Sequence, residues 1–150
     1  MVETVAYFNG EWVPQDEVRI QPFDRGFYVG DAVFDLTRTF DGRSFKMPEH
    51  VDRLYRSLKY ARIDSGLTAE EMIEVSEEGI RRNEAARLSG AGDWHVWQAV
   101  TRGTGATRAV DVAATHGQYR AKLITLALDQ EWSVGVASNF IHLDLSLIHI

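Results

Sequence analysis

GDAVFDLTRTFDGRSFKMPEHVDRLYRSL, residues 30–58, changes its hydrophobic rhythm halfway along. Residues 32–40, AVFDLTRTF, are rich in β-branched and aromatic side chains and read as a strand. Asp41-Gly42 tolerates the positive φ angles of a tight hairpin turn, and RSFK supplies the return arm. Pro48 then opens a helix at a position where its missing N–H costs nothing. Val51, Leu54, Tyr55 and Leu58 fall at helical spacing and form one apolar stripe, with Glu49, Asp52, Arg53 and Arg56 off it. A strand, a hairpin and an amphipathic helix within thirty residues set the theme for the rest.

Working outward, residues 4–13, TVAYFNGEWV, place Asn9-Gly10 between two strand-like arms, a second hairpin. FDRGFYVGD (23–31) reads as a turn. A second helix begins at Thr68, with Glu71 three residues on completing a capping box; Met72, Val75 and Ile80 supply its apolar side, and it fades near Asn83. SGAGD (89–93) reads as a loop. WHVWQAVT (94–101) and AKLITLAL (121–128) read as strands joined through RGTGATR (102–108). Early hairpins, two helices, then further strands predict an α+β domain with a mostly antiparallel sheet rather than βαβ units.

The chain has 150 residues, 45% of them hydrophobic, enough for one domain with its own core. Its net charge of −6 argues against a non-specific nucleic-acid binder. Without cysteine, disulfides, thiolate catalysis and zinc–thiolate sites are excluded. The N-terminus lacks the basic and apolar regions of a signal peptide, and the apolar stretch after Val134 is too short and polar to span a bilayer. A cytoplasmic protein, with neither membrane nor nucleic-acid partners, is the expectation.

None of the five histidines (50, 95, 116, 142 and 149) is paired at i, i+4, so no metal site is expected, and His50 reads as a helix-surface or capping residue. GTGATR (103–108) lacks the Lys-Ser/Thr pair of a nucleotide-binding loop and suits a turn that aims Arg108 outward. No GxSxG occurs. Paired acids such as Glu70-Glu71 and Glu77-Glu78 read as a solvated face. Arg53 has Glu49 and Asp52 nearby as partners, and an exposed ion pair is worth only about 0–1 kcal/mol. Thirteen arginines against Lys46, Lys59 and Lys122 leave room for two-pronged anion recognition.

Read together, residues 24–58 and VTRGTGATR (100–108) resemble the N-terminal signature of class IV (fold-type IV) aminotransferases, pyridoxal 5'-phosphate enzymes. That group includes branched-chain and D-amino-acid aminotransferases, (R)-selective amine transaminases and aminodeoxychorismate lyases. The resemblance rests on Gly30-Asp31, Phe34-Asp35, the Asp41-Gly42 hairpin, His50-x-x-Arg53-Leu54 and Thr101-Arg102-Gly103, and covers about residues 5–128. It implies that Arg53 binds the cofactor's phosphate, and that Phe34, Leu36 and Arg38 line the substrate pocket from one face of their strand. It further implies that Arg108, on a mobile loop, pairs with the substrate carboxylate, that the parent protein is a homodimer, and that an amino group moves between an amino acid or amine and a 2-keto acid. Leu36, where the branched-chain subgroup has Gly, and Val110, where the D-amino-acid enzymes have His, leave the subgroup open.

The family's chemistry needs a lysine that holds the cofactor as a Schiff base. None of the three lysines matches it, so the chain is expected to be a fragment, ending before that catalytic lysine and inactive alone. Residues 1–128 would form the small domain and 129–144 the start of a linker. The terminal LSLIHI (145–150) matches the translation of CTG-TCT-CTT-ATA-CAC-ATC, an adapter end sequence, and reads as a non-native tail; a natural C-terminal strand is the alternative. The competing functional readings are a lyase of the same fold and a non-catalytic α+β binding module.

Overall fold

The computed structural model describes residues 3–90, 92–104 and the strand backbone of 122–128. Two hairpins and two further strands build a six-stranded sheet: β1 (Val5–Phe8), β2 (Glu11–Pro14), β3 (Ala32–Phe40), β4 (Arg43–Ser44), β5 (Trp94–Thr101) and β6 (Lys122–Leu128). The order is β2-β1-β6-β5-β3-β4, and every pairing is antiparallel. Both expected hairpin turns form. Asn9 (φ 54°) and Gly10 (φ 101°) close β1–β2, and Asp41 (φ 52°) and Gly42 (φ 72°) close β3–β4. Positive φ at both central residues is what a tight two-residue turn demands, and Asn-Gly and Asp-Gly meet it at least cost.

Among the described residues, four α-helices, rather than two, accompany the sheet: α1 (Arg25–Val29), α2 (Met47–Ala61), α3 (Ala69–Arg82) and α4 (Glu84–Gly90). The turn expected at 23–31 contains the five-residue α1, capped by Asp24, whose carboxylate accepts from the Gly26 N–H. The start of the expected loop at 89–93 belongs instead to α4. Both helices are shorter than two full turns, too short for a periodic apolar stripe to announce them. The capping box of α3 forms as read: Thr68 accepts from Glu71 N–H while the Glu71 carboxylate accepts from Thr68 N–H.

Helix α2 packs on β3, and α3 packs on α2, β1, β5 and β6. The core between helices and sheet takes Val51, Leu54 and Leu58 from α2, Met72 and Ile80 from α3, and Trp94, Val96 and Val100 from β5. The apolar stripes read from the sequence therefore face the core, with Tyr55 and Val75 partly buried against it. Asn83, 1% exposed, ties the end of α3 to β1: its amide nitrogen donates to the Val5 and Gly79 carbonyls and its carbonyl accepts from Val5 N–H. That leaves a buried side chain with every polar group paired.

The sheet has two unlike faces. Along β3, Asp35, Thr37 and Thr39 are buried, while Phe34, Leu36, Arg38 and Phe40 alternate with them on the less covered side. In register, Phe34 stands opposite Ala99, Leu36 opposite Trp97 and Arg38 opposite His95. Phe34 and Trp97 meet edge to face with ring centroids 6.3 Å apart.

Candidate active site

The strand's two-residue period sends Asp35 beneath α2, and the helix's 3.6-residue period sends His50 and Arg53 to meet it. Arg53 Nε donates to Asp35 Oδ2 at 2.6 Å and Arg53 Nη2 to Asp35 Oδ1 at 2.8 Å. This is a two-pronged, charge-assisted clamp on a carboxylate whose side chain is 4% exposed. His50 Nδ1 lies 2.7 Å from Asp35 Oδ1. Hydrogen bonding to Asp35, reinforced by its charge and opposed by burial, raises the Arg53 pKa.

These contacts correct two expectations. Glu49 and Asp52 do not pair with Arg53; Asp52 sits 3.5 Å from Arg56, an exposed pair one turn on, and the partner of Arg53 comes from a strand eighteen residues earlier. His50 is no surface or capping residue but half-buried and fixed on Asp35. The sequence did mark the Phe34-Asp35 pair, yet nothing in it aligned Asp35 with a helix still to come. The only hint was an acid at an inward-facing strand position, where an unpaired charge is costly.

The clamp occupies one edge of the guanidinium. Nε and one hydrogen of Nη2 serve Asp35, and Nη1 and the other Nη2 hydrogen remain on the outer edge of a side chain 53% exposed. Such an arrangement presents a rigid, oriented pair of donors to an anion. Phe34 and Arg38 are exposed on the opposite face of β3 from Asp35, with Leu36 between them partly covered, so the strand alternation expected for the three is present. The Arg38 guanidinium lies over the Phe40 ring at 4.9 Å, and Phe40 meets Phe45 edge to face. Arg108 lies outside the described residues, as does the side chain of Lys122. Among the described residues no cluster of His, Asp or Glu is suited to a metal.

A second polar knot secures the segment before β3. Asp24, fully buried, accepts from Gly26 N–H and from the Thr101 hydroxyl. Asp31 accepts from Arg25 Nε at 3.0 Å and from Arg102 Nε at 2.7 Å and Nη2 at 3.1 Å. Arg102 also donates to the Ala61 and Arg62 carbonyls at the end of α2. Burial alone would raise the Asp31 pKa, but hydrogen bonds from Arg102 and Arg25 and their charges outweigh it and hold the carboxyl below its ordinary range. Gly26 is required by contact: a Cβ there would sit 2.4 Å from Thr101 Cγ2. The Thr101-Arg102-Gly103 landmark is thus the strand end that grips both the 24–31 segment and α2. The gripped segment turns Phe23, Phe27, Tyr28 and Val29 to solvent, each more than half exposed.

Comparison with known proteins follows the same lines. Residues 32–141 match the model of the family described as amino-transferase class IV. A Methanocaldococcus jannaschii protein assigned as a branched-chain-amino-acid aminotransferase is 41% identical over 99 residues, covering 66% of this chain and 32% of that protein. A Staphylococcus haemolyticus D-alanine aminotransferase is 36% identical over 80 residues, covering 53% of this chain and 28% of its own. Among solved structures, the Escherichia coli branched-chain amino acid aminotransferase superposes with a TM-score of 0.68 at 20% identity, over 85% of this chain and 40% of that one, a likeness of fold. The chain spans about a third of the length of the curated relatives it matches. With the family model covering well over half of its residues, the chain belongs to the class IV aminotransferases.

Proposed function

We propose that this chain is the small domain of a pyridoxal-phosphate-dependent aminotransferase that moves an amino group between an amino acid or amine and a 2-keto acid. The observation that carries the reading is the clamp on Arg53. A guanidinium fixed from behind by a buried carboxylate, with its outer edge open, is suited to hold a phosphate monoester by two parallel hydrogen bonds. The residues present therefore fit one end of the cofactor, its phosphate. When bound, the cofactor supplies an electron sink that makes the substrate's Cα proton removable.

This chain's own contribution is binding and orientation. Arg53 anchors the phosphate, and Asp35 fixes the guanidinium against rotation, so less freedom is lost on binding. Phe34, Leu36 and Arg38 offer an apolar wall and a cation on the outer face of β3, suited to a substrate with an apolar side chain and a carboxylate. Arg108 is a further candidate for that carboxylate. Of the lysines with described side chains, Lys46 lies over the Phe45 ring and Lys59 is exposed on the last turn of α2; neither is bonded to the Asp35 group. We accordingly place the Schiff-base lysine outside these residues and expect no transfer by the 150-residue chain alone. Exposed Phe23, Phe27, Tyr28 and Val29 favour a homodimer in the whole protein.

The test is amino transfer by the longest reading frame that contains this chain, supplied with pyridoxal 5'-phosphate, L- and D-amino acids or simple amines as donors, and pyruvate or 2-oxoglutarate as acceptors. Transfer that requires the cofactor, with cofactor affinity falling about 10–100-fold in Arg53→Ala, is expected from loss of a charge-assisted fork. Release of a product without nitrogen transfer would replace the aminotransferase reading with the lyase.

A further inference from the structure

His50 and Arg53, one turn apart on α2, reach the same carboxylate. An ionised Asp35 can only accept, so the 2.7 Å contact requires the His50 proton on Nδ1. The 3.2 Å approach of Arg53 Nη2 to His50 Nδ1 is then a meeting of two donors, both satisfied by the carboxylate between them. The ring's remaining nitrogen, Nε2, makes no hydrogen bond with any described residue, and the His50 side chain is 21% exposed. With His50 neutral, the carboxylate and guanidinium cancel. With Nε2 protonated, the group carries one net positive charge and a second kind of donor one helical turn from Arg53.

We propose that His50 is the second side-chain ligand of the anion that Arg53 holds, donating from protonated Nε2, with Asp35 the shared acceptor that orients both. This rests on the reading of Arg53 as an anion anchor. The ligand class is a dianionic phosphate or sulfate group. The charged groups facing His50 are Asp35 from β3 and, on its own helix, Arg53; exposed Glu49 neighbours it in sequence, and α3 places no charged side chain in hydrogen-bond contact with it. Protonation of His50 accordingly tightens anion binding and makes it stronger in acid.

Sulfate is the probe, because it stays dianionic from about pH 5.5 to about pH 8 whereas phosphate monoesters titrate near neutrality themselves. It is titrated at constant ionic strength into the full chain labelled with ¹⁵N-histidine, at about pH 5.5 and about pH 8. His50 ring-nitrogen shifts report both the tautomer and the doubly protonated fraction. The expected results are a proton on Nδ1 in the free protein near neutral pH, a rise in the doubly protonated fraction on adding sulfate, and binding about tenfold tighter in acid. His50→Gln removes the pH dependence and leaves weaker binding, while Arg53→Gln loses binding at both pH values. A proton on Nε2 in the free protein, His50 nitrogens indifferent to sulfate, or His50→Gln with full pH dependence each overturns the proposal and leaves Arg53 standing. Arg53→Gln binding as tightly as the unaltered chain overturns both readings. The nitrogen measurements need no substitution, so a variant that fails to fold does not remove the test.

Discussion

The two faces of β3 are made by one nine-residue strand, yet they obey different rules. Beneath the helices, each of this strand's buried polar side chains has a partner. Asp35 has Arg53 and His50, the Thr37 hydroxyl donates to the Phe45 carbonyl, and Thr39 bridges Trp94 N–H and Asp93. Across the strand, Phe34, Arg38 and Phe40 are exposed, with Phe34 against the Trp97 ring, Arg38 over the Phe40 ring and Phe40 against Phe45. The covered face spends its polar residues on alignment, because a buried charge or hydroxyl without a partner is expensive. The outer face instead carries rings and a cation that the helices do not cover. On the function proposed above, such a site would keep its anchor rigid and its selective surface open to change.

The sharpest way to break that contrast is to remove a partner from the covered face. Arg53→Ala leaves the Asp35 carboxylate 4% exposed with only His50 beside it, and should cost about 3 kcal/mol in stability, measured by urea unfolding. A loss under about 0.5 kcal/mol, the range for unremarkable surface substitutions, would show that the clamp is not an internal constraint at all. Thr39→Val should cost about 1–2 kcal/mol, since it strips a partner from Trp94 N–H and from Asp93 while keeping the side chain's shape.

Asp31 offers a pH handle at the end of the same strand. Its pKa is lowered in the folded chain from an ordinary value of 3.8, so its stabilisation is present above that value and is lost as pH falls through the folded one. Thermal midpoints should therefore drop on acidification below about pH 4, and Asp31→Asn should make that drop shallower. An unchanged acid limb in the variant would mean that the Arg25 and Arg102 contacts do not set the titration.

The smallest effect belongs to the outer face. Phe34→Ala removes one edge-to-face contact with Trp97 from a half-exposed ring, and should cost no more than about 1 kcal/mol while altering substrate choice in the whole enzyme. A loss as large as that of Arg53→Ala would erase the distinction between the faces.

Much of this was legible beforehand because it is local. Asn9-Gly10, Asp41-Gly42 and the Thr68–Glu71 box each carry their structural instruction within four residues, and each forms as read. The stripes of α2 and α3 were equally plain, since one helix is enough to display a 3.6-residue period. Arg53 drew attention through its neighbours in sequence, but the neighbours first considered, Glu49 and Asp52, were the wrong ones. Arg102 was read only as part of a landmark, though it joins Asp31 to the end of α2 across forty and seventy residues. α1 and α4 escaped because a helix of five or seven residues has no room to show its period.

The sequence by itself determined the hairpin turns, the cap of α3, which side of each long helix is apolar, and the family resemblance that implies an anion-binding role for Arg53. Tertiary structure alone decided what holds the Arg53 side chain. Strand and helix periodicities place side chains on faces, but they do not say which faces meet. Only when α2 lies across β3 do Asp35, His50 and Arg53 come within hydrogen-bond distance, and a charged pair takes its strength and its orientation from that distance and burial.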